Sequence, residues 1–248
     1  MEKATKLATL CAALLISLAL ASPASAQTGA SDVVKTSGGD LRITPIAHAS
    51  LMLEFGGKVI HVDPAGPADF SGFPKADLIL ITDIHGDHQD RAKIDLLKKG
   101  GTVVVAPAAV AKTITEAQTI NNGEKKTVAG ISIETVPMYN LKRGPESGGL
   151  FHDKGRGNGY ILTFGDKRLY ISGDTECTPE MKALKNIDVA FLCMNLPYTM
   201  PPSEAAECAR AFQPKIVYPY HFRGQNIQEF ADALQSTPGV AVRSRKWY

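Results

Sequence analysis

The scarcities in this 248-residue chain narrow its class first. Cysteine occurs four times, too few for a scaffold held together by disulfides in place of a core. Neither sign of charge dominates, since 27 Lys and Arg against 25 Asp and Glu leave +2. That field is too weak to suggest a nucleic-acid or anionic-membrane binder. Repeats, low-complexity tracts and interdomain linkers are all missing, and only one long apolar run occurs. What is present, 44% hydrophobic residues with 22 Gly and 15 Pro, is the composition of a folded globular protein able to bury a sizeable core.

The single apolar run lies at the N-terminus. Lys3 and Lys6 precede Leu7 to Ala21, followed by Ser22-Pro23 and the small-residue tripeptide Ala24-Ser25-Ala26. This pattern predicts a secretory signal peptide over residues 1–26, cut after Ala26. The run falls short of the roughly 20 apolar residues that a spanning helix needs. The expectation is an exported protein, periplasmic or secreted, with no membrane attachment once the signal is removed. Losing Lys3, Lys6 and Glu2 leaves a mature charge of +1. Cys11 leaves too, and Leu10 beside it does not suit a lipoprotein cleavage site. Cys177, Cys193 and Cys208 remain, enough for one internal disulfide and one free thiol. Cys193 sits in the apolar run Val189 to Cys193 and reads as a buried core thiol. Cys177, in Asp174-Thr175-Glu176-Cys177, lies beside a suspected site.

Residues 27–39 are small, polar and without period, which predicts a flexible leader ahead of one domain over 40–248. Strands are expected at Leu41 to Ile46, Ser50 to Phe55 and Lys58 to Val62, the last two joined by a tight Gly56-Gly57 turn. Further strands are expected at Leu78 to Thr82, Thr102 to Val105, Lys126 to Val136, Gly159 to Phe164, Lys167 to Ser172, Ile187 to Leu192 and Ile216 to Tyr220. Helical spacing marks Ile94 to Lys99, Ala106 to Thr115, Pro179 to Leu184, Ser203 to Phe212 and Ile227 to Leu234. Strands interleaved with helices indicate an α/β protein, with two sheets packed together and helices outside. Asn140 to Asn158 is a glycine-rich loop carrying Lys142, Arg143, His152, Lys154 and Arg156. A loop of that length is often functional.

The chemistry concentrates in Asp83-Ile84-His85-Gly86-Asp87-His88, directly after an expected strand. Four potential metal ligands occupy six positions, and Gly86 is expected to let the backbone turn so that alternate side chains converge. Imidazole and carboxylate donors so close together are what one or two divalent ions require.

This segment resembles the His-x-His-x-Asp-His signature of the metallo-β-lactamase superfamily, with Asp83 in place of the first histidine. The resemblance continues in His48-Ala49-Ser50, Asp63-Pro64, Gly173-Asp174-Thr175 and Tyr218-Pro219-Tyr220-His221, in family order. It spans roughly residue 40 to the end and looks closest to the lactonase-like branch of metal-dependent hydrolases. It implies a four-layer αβ/βα sandwich with a binuclear metal site along one sheet edge. Asp83, His85 and His152 would hold one ion, Asp87, His88 and His221 the other, and Asp174 would bridge them. The implied activity is hydrolysis of an ester, lactone, amide or phosphoester by water that the metals activate, with Asp87 or Asp174 relaying the proton. Zinc is the default ion. The carboxylate of Asp83 adds a negative charge and an oxygen donor, which favours harder ions such as manganese or iron.

Around that centre the residues leave alternatives open. His48 matches a family position near the site, with either a supporting or substrate role or a purely structural one. His61 lies on a strand and reads as a packed core histidine. Arg143, Lys154 or Arg156 could meet an anionic substrate, although charges on such loops are commonly just solvated. Asn195 and Tyr198 could donate to a developing oxyanion, or form an ordinary Pro-Tyr turn. The competing functions are a true β-lactamase, disfavoured by Asp83, and a non-catalytic metal- or ligand-binding protein of the same fold. The expected partner is a small-molecule substrate, not nucleic acid, and the sequence does not set an oligomeric state.

Overall fold

Alternating side chains divide the strands between two cores. The computed structural model describes residues 31–248; the expected signal peptide and residues 27–30 lie outside them. One sheet runs β1 (Asp32–Thr36), β2 (Gly39–Ala47), β3 (Ser50–Phe55), β4 (Lys58–Val62), β5 (Leu78–Leu80), β6 (Val103–Ala106) and β7 (Gln118–Thr119) in sequence order. The second runs β8 (Lys125–Val128), β9 (Ile131–Met138), β10 (Gly157–Phe164), β11 (Lys167–Ile171), β12 (Val189–Cys193), β13 (Ile216–Tyr220) and β14 (Ala241–Val242). In β5, Leu78 and Leu80 join the large core between the sheets, while Ile79 joins a smaller one outside. That period of two is what a strand covered on both faces produces.

The outer core of the first sheet is closed by α1 (Arg91–Leu97) and α2 (Ala108–Ala111), through Ile94, Leu97 and Val110. On the second sheet lie α3 (Pro179–Lys182), α4 (Pro202–Phe212) and α5 (Ile227–Leu234), which bury Met181, Ala205, Cys208, Phe212 and Phe230. The result is the four-layer αβ/βα sandwich expected. Among the described residues no helix is long and apolar enough to cross a membrane.

Four local expectations need correction. The leader ends before Asp32, because β1 pairs antiparallel with β2 through a turn at Thr36 to Gly39. Its Asp32 is held by Arg245 at 2.6 Å and by the Tyr218 hydroxyl at 2.9 Å. Lys126 to Val136 is a hairpin, not one strand, with Ala129 and Gly130 at φ of 49° and 83°. Two left-handed residues are what a tight hairpin turn requires. The helix expected over Ala106 to Thr115 shrinks to α2, because Ala106 completes β6 and Pro107 caps the helix. The long loop closes at Arg156, since Gly157 and Asn158 already pair in β10. Cys177 and Cys208 form a disulfide that ties the segment after Asp174 to α4, while Cys193 is a buried free thiol.

Candidate metal centre

Parallel pairing of β4 with β5, and of β11, β12 and β13, sends their carboxyl ends to one edge. Loops leaving such ends are where α/β sheets place ligands. After β5 the chain reaches Thr82, whose backbone N–H and hydroxyl both donate to Asp63, at 2.7 and 2.6 Å. Asp63 also lies 2.9 Å from His88 Nδ1. A carboxylate only accepts, so His88 carries its proton on Nδ1 and turns Nε2 toward the site. Asp90 then caps α1 by accepting from the Ala92 and Lys93 amides. Gly86 is not the hinge expected: its φ is not positive and a Cβ there would meet nothing within 4 Å.

The remaining donors arrive from three other loops. Gly173, at φ 62°, leaves no room for a side chain against Met138 and Thr82, and it directs Asp174 inward. His152 donates from Nδ1 to Asn140 Oδ1 at 2.6 Å. The Asn140 amide in turn donates to Glu176 and to the Tyr198 carbonyl. His221 follows β13 at φ 48° and stacks on His88, rings 5.0 Å apart. His48, Asp63 and His221 are all non-glycine residues with positive φ. Such conformations persist where the surroundings enforce them, commonly at functional sites.

Three ligand groups result, each with donor atoms within 4.8 Å of one another: Asp83, His85 and His152; His88, Asp174 and His221; and His48, Asp87 and His221. Asp174 lies between them, with Oδ2 3.3 Å from His88 Nε2 and 3.4 Å from His152 Nε2, and Oδ1 3.5 Å from His221 Nε2. His88 Nε2, His152 Nε2, His221 Nε2 and Asp174 Oδ1 are buried without a hydrogen-bond partner. Buried polar atoms seldom stay unpartnered. Nitrogen and carboxylate donors converging in this way suit a divalent cation, so the residues present fit a bound metal.

The electrostatics agree. Burial pushes the Asp174 carboxyl up, but the charges of His221 and His88 outweigh it and hold it well below the usual range. Asp87 behaves likewise, burial being overcome by His221, His48 and His88. His88 is driven well above its ordinary value despite burial, because Asp174 and Asp63 face it. His88 is thus the imidazole that the surrounding carboxylates hold in its charged form.

Sequence reasoning assigned the neighbours of these ligands less well. His48 is not a bystander, since its Nε2 lies 2.9 Å from Asp87 Oδ2 and its Nδ1 2.7 Å from the Tyr248 hydroxyl. The loop cations do not stand free for an anion: Arg143 is engaged by Glu176 and Glu204, Lys154 by Glu180, and Arg156 by Asp83. Asn195 uses its backbone to close a turn with Tyr198 and Thr199. Tyr198 reaches the site through its carbonyl, while its ring packs edge-on against Phe151. Asp63, Asn140 and Glu176 were missed as supports. Only Asp63 carried a signal, the Asp-Pro pair at the end of an apolar strand.

Comparison with known proteins follows the same outline. The profile of the Beta-lactamase superfamily domain matches residues 42–221. A UPF0173 metal-dependent hydrolase of Bacillus thuringiensis subsp. konkukian is 31% identical over 227 residues, covering 82% of this chain and 97% of that protein. A Thermococcus kodakarensis homologue with the same description is 32% identical over 225 residues, covering 82% and 96%. The crystal structure of a Parabacteroides distasonis protein proposed to be a metal-dependent hydrolase superposes with TM-score 0.84 at 46% identity, over 89% of this chain and all of that one. Igni18, a metallo hydrolase of Ignicoccus hospitalis, shares the fold with TM-score 0.68 at 24% identity, over 82% and 94%. With more than half of its length matched by that profile, and with full-length relatives above 30% identity, the chain belongs to the metallo-β-lactamase superfamily and, within it, to the UPF0173 metal-dependent hydrolases.

Proposed function

We propose that the protein is an exported hydrolase that takes two divalent ions, zinc by default, and cleaves an ester, lactone, amide or phosphoester of a small molecule. The observation that carries this reading is the set of unpartnered buried donors around Asp174. Divalent ions in such a site polarise a carbonyl or phosphoryl oxygen and lower the pKa of water toward neutrality. Asp83, His85 and His152 would hold one, Asp87, His88 and His221 the other, with Asp174 shared.

The chain's own groups divide the remaining work. Asp63 and Asn140 fix the tautomers of His88 and His152, so that each presents Nε2 inward. Asp87 is the accessible carboxylate of the group, its side chain 40% exposed. With Oδ2 against His48, its Oδ1 can accept a hydrogen bond from water and orient it toward the substrate. The loop from Asn140 to Arg156 carries His152, which is fully buried.

Export is supported by the N-terminal apolar run and by the Cys177–Cys208 disulfide, since disulfides persist in oxidising compartments. The test is elemental analysis joined to a chelator-controlled screen of lactone, ester, phosphodiester and nitrocefin substrates. Two ions per chain, chelator-sensitive turnover and loss of metal in His88→Ala are expected. A protein that binds no transition metal even after refolding with zinc overturns the proposal.

A further inference from the structure

Large apolar side chains are rarely exposed on the described residues, and those that are cluster. Of seven so exposed, Ile84, Leu141, Leu196, Tyr198 and Tyr248 sit on segments that carry or support the candidate ligands. Ile84 lies between Asp83 and His85, and Leu141 follows Asn140. Tyr248 holds His48 through its hydroxyl. Isolated exposed apolar residues are ordinary, but a concentration at a polar site marks a binding surface.

Each of the two exposed tyrosines pairs with a phenylalanine that adjoins a candidate ligand. Phe151, next to His152, meets Tyr198 edge-on with ring centres 5.0 Å apart. Phe222, next to His221, meets Tyr248 in the same manner at 5.1 Å, and Tyr248 also lies edge-on to His48 at 5.6 Å. The Tyr248 hydroxyl is fixed by the Arg223 backbone N–H at 3.0 Å as well as by His48. Its ring is therefore held in place beside the site. One pair thus adjoins His152 and the other His221, and both of those histidines approach Asp174, at 3.4 and 3.5 Å.

We propose that these two pairs are the walls of the substrate site and that they grip an apolar acyl group of a neutral ester or lactone. The proposal rests on the hydrolase reading above and narrows its substrate class. Charge supports it, because Arg143, Lys154 and Arg156 are all paired with carboxylates and offer no cradle for a polyanion. Burial of methylenes against the walls is the expected source of selectivity.

The test uses the full chain loaded with zinc. Turnover of p-nitrophenyl acetate, butyrate and octanoate is compared with that of bis-p-nitrophenyl phosphate, and binding of acetate and octanoate is measured by calorimetry. The expected result is kcat/KM rising by about tenfold or more from acetate to octanoate, with octanoate binding correspondingly tighter, given partial burial of the added methylenes. Tyr198→Ser should flatten that rise, Tyr198→Phe should keep it, and Leu96→Ser, on an exposed position of α1, should leave it intact. Equal turnover and equal binding at every chain length, or preference for the phosphodiester, overturns the inference while leaving a hydrolase. Tighter octanoate binding that Tyr198→Ser abolishes, without turnover of any ester, keeps the walls and overturns the hydrolase reading.

Discussion

Arg156 grips Asp83 with two hydrogen bonds of 3.1 Å, Nε to Oδ1 and Nη2 to Oδ2. Asp83 is fully buried. Burial pushes its carboxyl up, but the hydrogen bond from His85 and the charges of His88, Arg156 and His152 hold it down to about 2. The pair as a whole is neutral, as a histidine at that position would be. The extra negative charge that Asp83 brings in place of the motif histidine is therefore largely cancelled by a residue 73 positions away.

Arg156→Met should separate the two consequences of that pairing. Without metal, a buried carboxylate loses one of its partners, while His85 Nδ1 remains at 2.9 Å. The cost therefore falls below the ~3–5 kcal/mol of breaking an isolated buried pair. With metal, the uncompensated Asp83 attracts a cation more strongly. The expected outcome is a lower Tm in chelator than the parent, together with a larger rise in Tm on adding Mn2+ or Zn2+. Scanning calorimetry with and without metal checks both. Equal metal-induced shifts in parent and variant would show that Asp83 does not face the ion.

Why some of this was legible and some was not follows from distance along the chain. The Asp83 to His88 cluster is a local pattern after a continuous apolar strand, whereas Gly173-Asp174-Thr175 and His221 gain meaning only from the family resemblance. His152 was reached only by matching the family. Asp63, Asn140, Arg156 and Tyr248 act through partners 25, 12, 73 and 200 residues away, and no local periodicity reports such contacts. The same holds for β1, whose residues look like a leader until Asp32 meets Arg245. The Ala129-Gly130 turn hid because it lacks the Asn-Gly or Asp-Gly that usually announces a tight hairpin.

Asp63→Asn should weaken metal binding while leaving the fold intact. Asparagine tolerates the positive φ of 45° that Asp63 adopts, so the backbone is not the issue. One carboxylate oxygen becomes an amide that faces donors from Thr82 and His88. His88 then loses the partner fixing its tautomer, and such changes typically lower metal affinity about 10–100-fold. A chelator competition titration reads the shift directly.

Two glycines near the centre should respond oppositely to alanine. At Gly173, φ is 62° and a Cβ would come within 2.5 Å of Met138 Sδ and 3.1 Å of Thr82 Cβ. Backbone strain and overpacking together should cost about 3 kcal/mol. At Gly86 neither problem exists, so Gly86→Ala should stay within about 0.5 kcal/mol of the parent. Urea denaturation of both variants in chelator, away from any metal contribution, distinguishes them. A large loss in Gly86→Ala would restore the hinge role that the motif suggested.

Acid should destabilise the protein through His61, which stands apart from the ligand groups. Its ring is buried against Phe70 and Phe73, and Nε2–H donates to the Pro74 carbonyl at 3.0 Å, leaving Nδ1 without a partner. Burial lowers its pKa to about 4 from an ordinary 6.5, only partly opposed by the Pro74 bond. Below pH 6.5 the unfolded chain takes up a proton that the folded chain refuses, so stability contributed by neutral His61 is complete above that pH. It is lost as pH falls, at up to about 1.4 kcal/mol per pH unit, until the folded form also titrates near pH 4. The total comes to about 3 kcal/mol. His61→Gln keeps a donor for Pro74 but cannot titrate, so its unfolding free energy should change less between pH 6.5 and 4 than that of the parent. Parallel pH dependences in the two proteins would mean that the acid sensitivity arises elsewhere.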